Sequence, residues 1–332
     1  MYRYVLKRLL IMIPVILGVT ILIFTIMYFT PGDAAEAILG SSASEAQLEA
    51  KREQLGLNDP YIVQLLTYMK NLFFKGDMGS SYVTSTPIAH ELMQRFPRTL
   101  ALAFVIMLMR AVLGTSLGVV AALHQDKFLD KFCMILALIG ASMPSFWLAL
   151  MLVILFSLRL GWFPSYGIGG IEYYILPCIA ASISSIGQQA RQSRSAVLEC
   201  IRSDYVTTAR AKGICERSVL FKHILANAMI PIITVIGTGF GFSLAGTLII
   251  ENVFAIPGIG LYMTNGISNR DYPVVTGSVI LVCFMMSIVM LVMDLIYAFL
   301  DPRIKAQYEN QSARRVKIKT EKDAHKTSSG KR

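Results

Sequence analysis

The chain has 332 residues, is 55% hydrophobic and has a mean hydropathy of +0.57. Soluble proteins sit near about 45–50% apolar, and several windows here exceed the ~18 apolar residues that mark a membrane-crossing helix rather than a buried core. The net charge of +10 is uneven along the chain, which in a membrane protein reports topology before it reports nucleic acid, and the five cysteines show no CxxC spacing that would indicate a disulfide framework or a zinc site.

The first apolar run, 9–29, follows Arg3, Lys7 and Arg8. Its 21 residues exceed a signal-peptide core, so it reads as an uncleaved membrane helix carrying Pro14. Residues 31–98 are polar and read as a small external subdomain. Helices are expected from Ser44 to Leu55 and from Pro60 to Phe74, followed by a Gly76-Asp77-Met78-Gly79 turn. The second span, 99–121, carries Gly114 and Gly118, with Ala122 just beyond, a small-residue spacing that lets helix backbones approach in lipid. Arg110 lies inside it, and a charge there marks a functional position, a residue facing a water-filled cavity or a structural pairing.

The third span, 132–158, contains Pro144-Ser145-Phe146-Trp147. The fourth, 174–195, is interrupted by Ser182, Ser184, Ser185, Gln188 and Gln189, so it should face protein or water rather than lipid. The fifth span is 228–250, with Gly237, Gly241 and Ala245 at four-residue spacing. The stretch from Glu251 to Gly277 is too broken to cross. The sixth span, 278–300, contains Asp294, and the basic tail 306–332 has the composition of a disordered segment. Arg110 and Asp294 could pair with each other or with a partner subunit. With both termini in the cytoplasm, the inner segments hold 22 Lys and Arg and the outer segments 8.

The polar segment 204–231 lies between the fourth and fifth spans. It reads as two short helices broken at Gly213, with Tyr205, Ala209 and Lys212 before the break and Val219, Leu220 and Ile224 after it. It fits either a basic cytoplasmic loop or a docking site in which Ala209 and Ala211 are small to allow close approach. The chain has no phosphate-binding loop, no H-E-x-x-H, no nucleophile elbow and no clustered histidines. It therefore presents no catalytic residue, no metal site and no nucleotide site. With so few intramembrane ionisable groups, the energy for transport should come from another subunit.

Residues 204–231 resemble the coupling-loop motif of ABC importer permeases. Thr207-Thr208-Ala209 stand in its first triplet, Gly213 in its Gly place and Pro231 in its Pro place. The missing Glu and the 18-residue separation of Gly213 from Pro231 resemble the dipeptide, oligopeptide and nickel branch. Pro31-Gly32-Asp33, Leu55 to Pro60, Gly76 to Gly79, Arg95 to Leu100, Pro144 to Trp147, Pro257 to Gly260, Asp271-Tyr272-Pro273 and Asp301-Pro302-Arg303 look like the first permease subunit of such systems. The resemblance covers about 1–305.

It implies an all-α integral membrane protein with the type I ABC importer permease fold, in the bacterial inner membrane. The domains would be a helix at 1–30, the external subdomain at 31–98, a permease core at 99–305 and the tail. The implied partners are a second permease subunit, two cytoplasmic ATPase subunits that bind ATP and Mg²⁺, and an external solute-binding protein, with no cofactor on this chain. Asp204, Tyr205, Thr208, Ala209, Arg210, Ala211, Lys212 and Gly213 would form the coupling helix. Arg110, Gln188, Gln189 and Asp294 are the candidates for pathway or intramembrane polar residues. The implied solute is a peptide, with nickel, glutathione or another small solute as the alternative and a stand-alone ion-coupled carrier as the outlying one.

Overall fold

The computed structural model describes residues 2–40 and 42–300; the Asp294 side chain, Asp301-Pro302-Arg303 and the 306–332 tail lie outside the described residues. Among the described residues the regular elements are helices, with one isolated antiparallel bridge between Ser80 and Pro87.

Helix α1 (Tyr2–Phe29) runs unbroken through Pro14. Only 6% of its most apolar window is buried by the rest of the chain, so its surface is left for lipid. Three short helices follow: α2 (Ala34–Leu39), α3 (Glu45–Gln54) and α4 (Tyr61–Lys75). Their boundaries have local causes. The Asp33 carboxylate accepts from Ala35 N at 2.8 Å, Ser44 and Gln47 form a capping box, and Gly76 stops α4 with φ +66°.

Helix α5 (Ile88–Met109) continues through a π-helical turn at Arg110–Gly114 into α6 (Thr115–Leu123). The second span therefore starts at Ile88 and not near 99. The third span does not run straight. Helices α7 (Phe128–Ser142) and α8 (Ser145–Leu152), the latter extended by a π-helical turn to Arg159, meet at 98°. Proline disfavours helical backbone in the residue before it, and Met143 is extended at φ −82°, ψ 125°.

Helix α9 (Glu172–Ile201) precedes α10 (Asp204–Ala211). After Gly213, α11 (Glu216–Ser218), a π-helical stretch at Val219–Leu225 and α12 (Ala226–Val253) form one helix of 38 residues. The expected second short helix of the 204–231 segment is thus the opening of the fifth span, and Pro231 lies inside that span. Helices α13 (Ile259–Ser268) and α14 (Tyr272–Leu300) complete the order.

Four of these helices are long and apolar enough to cross a membrane, and the bent α7–α8 pair brings the number to five if it counts as one span. Helix α9 has 30 residues but falls short on apolarity. Gln188, Arg191 and Gln192 stay exposed, whereas Ser182, Gln189 and Ser193 are buried where α9 packs among α6, α7 and α12. Close approach is possible there because the facing residues are small. A Cβ on Gly118 would lie 2.4 Å from the Ala190 carbonyl oxygen, and one on Gly187 2.2 Å from that of Ala137.

Candidate functional site

Three features of the bundle carry chemistry. The first is a cavity of about 420 Å³ at mid-bundle. The α7–α8 break forms one wall, Ser184, Ser185 and Gln188 of α9 another, and Gly239 and Ser243 of α12 a third, with Arg110 between them. Non-helical backbone at membrane depth is tolerated where it lines a cavity that holds water, and the break at Met143 and Pro144 is placed there. Arg110 is 6% exposed. Its Nε donates to Gln189 Oε1 and its Nη2 to the Val235 carbonyl, each at 3.1 Å. Gln189 is fully buried and is not among the residues that line the cavity; within the bundle it accepts from Arg110 and holds it in place.

The second feature is α10 with its seat. Val206 and Ala209 point into a core formed with Ala122 of α6, Val197 and Leu198 of α9, and Val219, Ile224, Ala228 and Ile232 of the 216–253 helix. Asp204, Tyr205, Thr208, Arg210, Ala211, Lys212 and Gly213 are exposed. Ala209 is thus held in this chain's own packing, where a larger side chain has no room, while Ala211 faces outward. Gly213 has φ +76° with nothing within 4 Å of a built Cβ, so glycine serves the turn's backbone there. Arg210 donates to Glu216 at 2.6 Å from Nη2 and closes the turn from its far side. Next to this seat, Arg194 grips the Asp130 carboxylate with two hydrogen bonds of 2.6 Å and ties α9 to the start of α7.

The third feature, at the opposite end, is a convergence of the quoted motifs. Asp271, 3% exposed, accepts from Ser81 Oγ at 2.5 Å and from Tyr82 N at 3.1 Å. Burial, then the Asp271 charge, pushes the Tyr82 phenol up to about 12. Tyr272 Oη donates to the Gly32 carbonyl, and Arg270 reaches that of Pro31. Glu251 is fully buried and accepts from Thr99 Oγ1 and from Gly260 N, each at 2.6 Å. Arg98 donates to the Pro257 carbonyl at 3.2 Å. No signal within any single motif pointed to these pairings. Gly114-Thr-Ser-Leu-Gly118 spells G-x-S-x-G, but it lies across the π-helical turn and α6 within a helix, so it forms no nucleophile elbow.

Residues 114–306 match the family model for the binding-protein-dependent transport system inner membrane component, and residues 1–103 match the model for its N-terminal region. This chain belongs to that family. The family's relatives include the dipeptide transport system permease protein DppB of Alkalihalophilus pseudofirmus, 39% identical over 92% of this chain and 100% of the relative. The glutathione transport system permease protein GsiC of Salmonella typhimurium is 38% identical, over 92% of this chain and 99% of its own length. An inward-facing structure of the MetNI methionine ABC transporter superposes with a TM-score of 0.55 at 18% identity, covering 63% of this chain and 96% of that one, which supports the fold. The binding-protein-dependent family makes this chain a multi-pass inner-membrane transport component and not an enzyme, and it implies a binding protein and an ATPase as partners.

Proposed function

We propose that this permease forms half of the translocation pathway of an ATP-driven peptide importer and receives its power stroke through α10. The names of the relatives, dipeptide and glutathione permeases, support a peptide or peptide-like solute. The fuller architecture has six crossings, with the polar α9 as the fourth, both termini in the cytoplasm and α2–α4 outside. A second permease completes the pathway, two ATPase subunits bind ATP and Mg²⁺, and a solute-binding protein docks on the outer end.

The observation that carries this reading is the seat of α10. Val206 and Ala209 are packed into α9 and the 216–253 helix, and these two helices also wall the mid-bundle cavity. A push on the exposed side of α10 is therefore delivered to the cavity walls through close-packed side chains, which transmit displacement because protein interiors have little free volume.

Cross-linking tests the reading. A cysteine replaces Ala211 in a chain whose native cysteines are removed, and this chain is co-expressed with its ATPase and permease partners. Efficient cross-linking to an ATPase that changes when the ATP-bound state is trapped is the expected result. A correctly inserted complex with no cross-link in either state refutes docking through α10.

A further inference from the structure

We propose that Arg110 is a carboxylate-binding subsite in the wall of the mid-bundle cavity and favours solutes that carry a free carboxylate, as a peptide C-terminus does. The inference rests on the peptide-pathway reading and adds a chemical criterion for what passes.

Among the described residues Arg110 is the one charged side chain lining the cavity, and both of its hydrogen-bond partners there are uncharged, an amide oxygen and a backbone carbonyl. An unneutralised cation at mid-span is costly and is normally paired. Here the chain invests further groups in holding it. Gln189 Nε2 donates to Ser193 Oγ at 3.2 Å, which turns Gln189 Oε1 toward Arg110 Nε. Gly239 provides the space, since a Cβ there would lie 1.5 Å from Nη1. Nε and Nη2 are thus fixed, and Nη1 makes no hydrogen bond among the described residues. A guanidinium held by one edge presents its remaining donors in a planar fork that matches a carboxylate. The hydroxyls of Ser184, Ser185 and Ser243 and the Gln188 amide line the same cavity and can solvate the rest of a peptide. The same fixed charge repels a free divalent cation.

The test uses the complete reconstituted importer: this permease, its partner permease, the ATPases and the binding protein. Uptake is measured for a labelled tripeptide with a free C-terminal carboxylate and for its C-terminal amide, at concentrations that load the binding protein equally. Arg110→Gln is expected to slow the carboxylate peptide about tenfold, the scale of one lost hydrogen bond to a charged group, and to leave the amide unchanged. Arg110→Lys should restore most of the preference. Gly239→Ala, which keeps the charge but pushes the guanidinium aside, should reproduce the loss.

Equal slowing of both peptides by Arg110→Gln, no change for either, or failure of the complex to assemble would each overturn the carboxylate subsite and leave Arg110 a structural group. If the wild-type importer moves neither peptide, the peptide reading itself falls, and this inference with it.

Discussion

Ala209 and Ala211 stand two residues apart on α10 and do different work. Ala209 is 5% exposed inside the chain's own core, whereas Ala211 is exposed. Leucine at 209 overpacks that core, so Ala209→Leu should lower the unfolding free energy of the purified permease by about 1–3 kcal/mol, read from its thermal unfolding. Ala211→Leu should leave unfolding unchanged and weaken co-purification with the ATPase. Equal loss of stability in both variants would contradict the seating of α10. Glu251 offers a second test at this scale. Its carboxylate satisfies Thr99 and the Gly260 amide in a fully buried site, so Glu251→Ala strands buried donors and should destabilise by about 2 kcal/mol. Glu251→Gln keeps the acceptor oxygen and should cost less; the order of the two melting curves is the check.

The helices decide how movement passes through the bundle. At the α10 turn, Gly213 needs positive φ but has open space around it. Asparagine tolerates that conformation, so Gly213→Asn should fold and insert normally. If an ATPase surface closes on this turn, the added side chain uncouples ATP hydrolysis from uptake; normal coupling would place the ATPase elsewhere. The neighbouring Asp130–Arg194 pair joins α7 to α9, with Asp130 side-chain exposure of 4% and Arg194 of 26%. Removing one member strands the other, yet partial solvation of Arg194 lowers the penalty below that of a fully buried pair. Arg194→Ala should therefore destabilise by about 2 kcal/mol, measured by denaturant titration in detergent.

Across the whole molecule the chemistry is polarised. One end carries α10 and the exposed free thiol of Cys215. The other carries the segments that flank α2–α4, at Pro31-Gly32 and at Ser81, pinned to the α13–α14 turn through Arg270, Tyr272 and Asp271. With α10 in the cytoplasm, a membrane-impermeant maleimide should label Cys215 in inside-out vesicles stripped of peripheral subunits, and not in intact cells. The reverse pattern would invert the topology. Helix α3 has no fully buried residue and is tied to Asp33 through Arg52; the proposed binding-protein contact lies on this side. Deleting residues 44–54 should spare ATPase association and abolish binding-protein-stimulated uptake, a pairing that a general folding defect would not produce.

Much of this was legible in the residues themselves. Apolar run length marked the four long apolar helices, Ser44 and Pro60 marked the starts of α3 and α4, and the serines and glutamines of α9 marked it as a helix that does not face lipid alone. These are local properties, set by hydropathy and backbone propensity within one or two turns. The right-angle break before Pro144 was not read, because a proline in a membrane helix bends it or is tolerated depending on what lies beside it, and the neighbour here is the cavity. The roles of Ala209 and Gln189 and the pairing of Asp271 with residues 81–82 were equally out of reach, since each joins positions whose separation along the chain carries no periodic signal. The residues alone carried the class, the family resemblance and most of the long helices, because hydropathy is a local property. Tertiary packing alone decided which polar residues meet at the cavity, because burial and pairing depend on the face that each helix turns toward its neighbours.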